Sequence, residues 1–187
     1  MTGILKTLRE DHRNMGRLLD VLESQIEVFR RGDEPDYDIL TETVDYCLNY
    51  PERFHHPLED QIFRRIAEKD PSRLEGIGDL ETVHAELFAL TQRVADAINA
   101  ILKEGEVDRQ AVVNVTDAFI RAYRQHIEAE ESDFFPLAER LLGESDWQAI
   151  EVALLNHSDP LFGEESAADY RRLRENVLRW SSAPPTG

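Results

Sequence analysis

A histidine and a glutamate four residues apart occur twice in this chain, and a lone histidine precedes each pair. The lone histidine stands 43 residues before the first pair and 42 residues before the second. The full set is His12, His55, Glu59, His84, His126 and Glu130. This pattern constrains the fold, because the chain has to bring two equivalent halves to one place. Nitrogen and oxygen donors contributed by two halves indicate one site for a pair of metal ions.

Apolar residues spaced three and four apart run through most of the chain and predict amphipathic helices. The first stripe contains a histidine and consists of Leu5, Leu8, His12, Met15, Leu19, Leu22, Ile26 and Phe29. The same spacing predicts further long helices over about residues 36–68, 79–104 and 108–143, with short connections between them. We therefore expect an all-α fold in which residues 1–143 form an up-down-up-down four-helix bundle.

Beyond the bundle, the sequence predicts two additional C-terminal helices, over residues 145–156 and 165–180. They make up a helical extension that spans residues 144–180. Residues 157–163 between them are predicted to form a turn, and the Pro- and Ser-rich end, 181–187, a loose tail. We expect the C-terminal helices to offer a contact surface to a second copy of the chain or to a protein partner.

The charge and the cysteine content exclude several classes of protein. The 38 acidic and 21 basic residues give a net charge of −17, whereas nucleic acids and anionic membrane surfaces require basic patches. Cys47 is the only cysteine, which excludes a disulfide framework and a thiolate metal cluster. No apolar run approaches the roughly 18 residues of a membrane span, and charged residues interrupt any signal peptide. We expect a cytoplasmic protein with neither nucleic acid nor membrane as a partner.

The six histidine and glutamate residues of the doubled pattern all lie on predicted inward-facing stripes. A four-residue spacing places each pair one turn apart on one helix face, so the second and fourth helices can present their pairs to each other. Buried carboxylates are costly unless a cation compensates them. Imidazole and carboxylate donors suit iron, manganese or zinc. A single histidine on such a face is more often a hydrogen-bonded core residue, but repetition on four helices favours the metal site.

His56 follows His55 directly and is assigned to the surface by helical phase. The repeat also aligns His55, rather than His56, with His126. The His56/Asp60 pair is therefore interpreted mostly as solvated surface. Pro57, however, disfavours ordinary helical geometry at the residue before it. A local distortion would turn His56 inward and make it an additional ligand, and the sequence leaves this alternative open.

A ferritin-like oxidase is a second interpretation of the same histidines. Glu52 and His55 have the three-residue Glu-x-x-His spacing of those bundles, and so do Glu81 and His84. This interpretation leaves the histidines of the first and fourth helices and the repeat unexplained, so it ranks below the doubled pattern.

Four stretches of the chain resemble one known family. LREDHRNM, FHHPLEDQIF, ETVHAEL and QHIEAEESDFFPLA look like the four helices of the hemerythrin-like, or HHE cation-binding, proteins, which are four-helix bundles with a non-haem di-iron centre. The resemblance covers residues 1 to about 143. It implies two iron ions joined by an oxo or hydroxo bridge, with manganese or zinc less favoured, and Glu59 and Glu130 as bridging ligands. The terminal ligands that it implies are His12, His55, His84 and His126.

Two departures from the oxygen-carrying members of that family bear on function. Those members have two histidines four apart on the third helix, whereas here Leu80 and Phe88 flank His84 at that distance. Their last helix carries His-x-x-x-x-Asp, where this chain has His126 and Glu130. Four imidazoles, two bridging carboxylates and one bridging oxygen leave two coordination positions open on two six-coordinate ions. A fifth imidazole would leave one, which suits a reversible dioxygen carrier.

The resemblance therefore implies a non-haem di-iron protein that binds or senses dioxygen, nitric oxide or peroxide. One alternative is a di-iron enzyme with catalase-like, peroxidase-like or nitric-oxide-related redox activity. Another is an iron storage or buffering protein. The sequence leaves open whether the protein is an enzyme and names no catalytic residue.

Overall fold

The chain is helical throughout the parts that the computed structural model describes, which are residues 3–103, 107–154 and 175–179. Its α-helices are α1 (Gly3–Arg30), α2 (Tyr37–Tyr50), α3 (His56–Lys69), α4 (Leu80–Leu102), α5 (Arg109–Ala129), α6 (Phe135–Leu141) and α7 (Glu144–Leu154). Two π-helical segments, Pro51–His55 and Glu130–Phe134, join α2 to α3 and α5 to α6, and Pro71–Leu74 forms a 3₁₀ turn. Four long rods result: α1, α2–α3, α4 and α5–α6. The predicted all-α fold is confirmed, and no strand occurs in the described residues.

An aspartate begins each of the last three rods. The carboxylates of Asp36, Asp79 and Asp108 accept hydrogen bonds from backbone N–H groups in the first turn of α2, α4 and α5. These side chains satisfy N–H groups that have no partner inside the helix. The helix starts therefore follow from local sequence.

The rods form a ring in which each rod contacts two neighbours. α1 contacts α2 and α5, and α4 contacts the same two helices. The 28 residues of α1 extend over about 42 Å, whereas the connection 31–36 can span at most about 21 Å. Because α2 contacts α1 after so short a connection, the chain turns back at the end of α1, as in a four-helix bundle.

A proline follows each π-helical segment at the same distance. The N–H of His56 bonds to the carbonyl of Pro51, five residues back, directly before Pro57. In the second segment the N–H of Phe135 bonds to the carbonyl of Glu130 in the same way, and Pro136 follows. A proline inside a helix lacks the N–H and crowds the carbonyl four residues back, and a π-bulge relieves that conflict by adding one residue to the turn. In the second and the fourth rod, the helical phase therefore shifts by about one residue after the π-helical segment.

The apolar core is divided into two clusters by a layer of polar side chains. The larger cluster includes Met15, Tyr50, Leu87 and Tyr123. The smaller includes Leu8, Leu58, Leu80 and Phe134, with α7 contributing Trp147 and Ile150. Along each rod, the histidines of the doubled pattern lie between residues of the two clusters. The fold thus places these histidines in one layer between the two apolar clusters.

The C-terminal part is described only partly. α7 packs against α3 and α1, and the Asp146 carboxylate pairs with Arg65 and Lys69 of α3. Of the predicted sixth helix, residues 175–179 are helical, and Val177 is buried in the larger cluster. The predicted turn and the predicted tail lie outside the described residues, and the division into bundle and extension stays a prediction. Within the described residues, no helix combines the length and apolarity needed to cross a bilayer.

Candidate metal centre

The structure brings the six residues of the doubled pattern together in the polar layer of the bundle. All six are buried, with exposed fractions between 0% for His55 and Glu59 and 6% for His126. His55 Nε2 lies 3.1 Å from Glu59 Oε1 within the second rod, and His126 Nε2 lies 3.2 Å from Glu130 Oε2 within the fourth. His12 Nε2 reaches across to the same Glu130 oxygen at 3.2 Å. The two halves therefore face each other across the bundle.

His56 also belongs to this cluster, so its assignment to the surface is wrong. It is 3% exposed, and its ring stacks on that of His84 with centroids 4.0 Å apart. The cause is the π-helical segment that ends at His55, because one extra residue in the turn lets two consecutive side chains point inward. Pro57 was the sequence signal for this distortion. His56 thus places a second imidazole beside His84. On the third rod itself, Leu80 and Phe88 occupy the positions four residues from His84 where a second histidine would stand.

The donor atoms divide into two groups that share one carboxylate. The first group is His56, Glu59, His84 and His126, and the second is His12, His55, Glu59 and Glu130. Within each group the donor atoms lie within 4.8 Å of one another. Glu130 also approaches the first group, since its Oε1 lies 3.6 Å from His84 Nε2. Two neighbouring ions with carboxylates between them fit this arrangement.

Four of the five imidazoles are oriented by a carboxylate at the nitrogen that faces away from the centre. The pairs are His12 Nδ1 with Glu131 (3.0 Å), His55 Nδ1 with Asp11 (3.2 Å), His56 Nδ1 with Glu52 (3.0 Å) and His84 Nδ1 with Asp60 (3.0 Å). A carboxylate only accepts hydrogen bonds, so each Nδ1 carries the proton and donates it. The opposite nitrogen, Nε2, is then free to present a lone pair to a metal ion.

The atoms that face the centre have no hydrogen-bond partner. Within the described residues, this holds for the Nε2 atoms of all five histidines and for both oxygens of Glu59 and of Glu130. When the imidazoles are neutral and carry their proton on Nδ1, the Nε2 atoms and the carboxylate oxygens point lone pairs at one another. These lone pairs repel one another in a buried site. Leaving buried polar atoms unsatisfied is costly. Metal ions supply the positive charge that such a donor set lacks, so the residues present fit a metal pair.

The electrostatics of the protein without metal show the same need for positive charge. Burial disfavours the imidazolium form of His84, but carboxylates led by that of Asp60 outweigh it and raise the pKa to about 10. Burial likewise opposes protonation of His55, yet Glu59 contributes most to raising its pKa to about 9. For His56, burial and neighbouring imidazolium charges lower the pKa well below its ordinary value. Protons therefore compensate the carboxylates when no metal is bound, and metal binding would displace them.

The ferritin-like interpretation does not fit the structure. Glu52 bonds to the outer nitrogen of His56 and does not face the centre. Glu81 pairs with Arg64 at the surface, with Arg64 Nε and Glu81 Oε1 2.8 Å apart. Neither carboxylate of the Glu-x-x-His spacing thus joins the buried cluster.

Asp60 and Glu131 lie outside the buried donor cluster, and their role was not predicted. They come directly after the two central glutamates and reach histidines on neighbouring rods, as does Asp11. These three contacts join residues distant in sequence, so periodicity within one helix could not reveal them. The fourth, between Glu52 and His56, has a four-residue spacing that was visible in the sequence.

The fold and the site define an all-α bundle protein with a buried histidine and carboxylate cluster for cations. The sequence model of the hemerythrin HHE cation-binding domain matches residues 3–138. The chain therefore belongs to the hemerythrin family, as its motifs suggested, and it has the cation-binding domain of that family. No curated protein and no solved structure is significantly similar to it.

Proposed function

We propose that the protein holds two iron ions side by side and binds a small ligand at one of them. His12 and His55 would bind one ion, and His56, His84 and His126 the other. The two central glutamates would bridge the pair. The observation that carries this proposal is the set of nine buried donor atoms, five nitrogens and four oxygens, that face one space without hydrogen-bond partners.

The number and kind of donors favour iron over zinc. Nine nitrogen and oxygen atoms for two ions exceed the four per ion that zinc usually takes. Imidazole and carboxylate together, with no thiolate, suit iron or manganese at higher coordination number. Iron is the metal that the family resemblance implies, and it supplies reversible redox chemistry at the bound ligand.

The fifth imidazole changes the expected number of open positions. With one bridging oxygen from solvent, the ion held by three imidazoles would have six ligands and the other five. One position then remains for an external ligand, beside His12 and His55, instead of the two expected from four imidazoles. A single open position supports reversible binding or sensing of dioxygen, nitric oxide or peroxide.

The surroundings of His12 and His55 support binding over rapid turnover. His55 is fully buried, and the ring of Phe135 stacks on that of His12 with centroids 5.2 Å apart. This apolar cover would limit the access of water to an ion held by these two imidazoles. Asp11 and Glu131 hold the two imidazoles in place from behind.

Metal analysis combined with an optical spectrum tests the proposal. Freshly purified protein from iron-replete cells should contain two irons per chain, and its spectrum should change when azide is added. A stoichiometry of one metal, or a colourless zinc protein, would overturn the proposal of an iron pair. Sustained consumption of peroxide by the iron-loaded protein would instead support the enzymatic alternative.

A further inference from the structure

A groove between the third and fourth rods leads from the surface to the buried cluster. It has a volume of about 400 Å³. One wall is the apolar face of α4, with Val83, Leu87 and Leu90, and the opposite wall of α5 presents the small side chains of Ala122 and Ala129. Larger side chains in place of these alanines would reduce the space in the groove.

The inner end of the groove is formed by two members of the donor cluster. His126 and Glu130 both line it, although they are only 6% and 1% exposed. The Nε2 of His126 and both oxygens of Glu130 lack hydrogen-bond partners. The outer part carries Glu86 and Asp133, and no lysine or arginine is among the described residues that line the groove.

The opposite side of the cluster is closed. His55 and Glu59 have no exposed surface, and Phe135 covers His12. Any ion that reaches these donors in the folded protein needs a path through the side chains around them. Because a water molecule takes about 30 Å³, a cation with six waters needs about 200 Å³, which the groove can hold.

We propose that metal ions enter and leave the centre through this groove, attracted by Glu86 and Asp133 and received first by His126 and Glu130. The inference rests on the metal binding proposed above. It adds a route and four residues along it. Carboxylates at the mouth of a cleft raise the local concentration of cations. The unpartnered donors at its inner end then replace the waters of the ion.

Filling the groove tests the route. We would measure cobalt(II) uptake by the metal-free protein in a stopped-flow spectrometer, and cobalt release from the loaded protein to excess EDTA. Ala129→Leu should slow both rates by about tenfold, equivalent to about 1.4 kcal/mol of barrier, with an unchanged final metal content. Ala95→Leu is the matched control, because Ala95 lines a separate cavity of about 90 Å³ between α2 and α4. It should leave both rates as in the wild type.

The two rates together separate access from affinity. A blocked route slows uptake and release by the same factor, whereas a weakened site changes their ratio. Wild-type rates in Ala129→Leu, or a change in the ratio alone, would overturn the route. Neither result touches the proposed function, which is tested separately by the metal content and the optical spectrum of the wild-type protein.

Removing charge at the mouth provides a second, milder test. Glu86→Gln and Asp133→Asn should each slow uptake by about threefold at low salt and much less at high salt, because salt screens the attraction. Release should hardly change. Glu128→Gln removes the same charge from an exposed position of α5 that does not line the groove, so its uptake rate should equal the wild-type rate. Equal slowing in all three variants would show an effect of net charge and not of the groove.

Discussion

Replacing His56 by alanine should remove one metal ion while the bundle stays folded. The side chain is buried and stacked on His84, and its Nε2 belongs to the donor group with Glu59 and His126. Removing it leaves that ion with two imidazoles in place of three. The other donor group keeps all of its members, so the ion at His12 should persist.

The size of the effect follows from the number of ligands. A four-ligand structural metal site binds its ion with about 10–16 kcal/mol. One ligand therefore contributes about 3 kcal/mol, and its loss should weaken binding roughly 150-fold. Iron per chain should fall from two towards one in His56→Ala after dialysis against a chelator whose free-iron level still saturates the wild type.

Variants of Glu52 provide a comparison for His56→Ala, because they change the orientation of His56 without removing its imidazole. Glu52→Ala removes the carboxylate that orients His56 and should weaken binding by about 10–100-fold, the usual effect of losing such a partner. Glu52→Gln keeps an acceptor oxygen and should lose less. Full retention of both ions in His56→Ala, with wild-type affinity and spectrum, would show that His56 is not a ligand. The assignment with four histidines and two open positions would then be correct.

Three further predictions concern the bridging carboxylates, pH and metal removal. Glu59→Ala should lose both ions, because Glu59 belongs to both donor groups. Asp60→Ala should only weaken metal binding, by about 10–100-fold, because Asp60 orients His84. Equal iron contents in the two variants would contradict this difference. In the metal-free protein, the pKa values of His55 and His84 are raised to about 9 and about 10, so protonation of these histidines should stabilise the folded state. This stabilisation is complete below the unfolded-state pKa of about 6.5 and is lost as the pH rises through the folded-state values. Urea unfolding of the metal-free protein between pH 7 and 10 checks this, and a midpoint that rises with pH would refute it. Metal binding to the native state alone should add about 4 kcal/mol to the free energy of unfolding when the free metal concentration is one thousand times the Kd. A chelator should therefore lower the melting temperature. An unchanged melting temperature would show that no ion was bound.

Local sequence was enough to determine the helices and most of the buried donors. Aspartates at 36, 79 and 108 mark where three rods begin, because their side chains bond to N–H groups a few residues away. The stripes around His12 and His84 follow helical periodicity, so both imidazoles are buried as their phase indicated. These features depend on residues within one or two turns, which is why the sequence alone reveals them.

The inward position of His56 required knowledge of the backbone. Pro57 indicated a distortion of the helix, but the direction and size of that distortion depend on how the second rod packs against its neighbours. The π-helical segment resolves the conflict with an extra residue and keeps both His55 and His56 in the core. A regular α-helical phase continued through this segment is wrong by one residue. That error is enough to assign a buried imidazole of the donor cluster to the surface.

Contacts between rods were decided by the tertiary structure alone. Asp11 meets His55, and Glu131 meets His12, over separations of 44 and 119 residues. The groove beside Ala129 is likewise lined by residues of α4 and α5 that are far apart in the sequence. The sequence alone indicated six of the seven clustered donor residues, since donor chemistry and helical phase are local properties. The packing of the four rods decided which partners orient them and from which side an ion can reach them, because those relations join residues that are far apart in the chain.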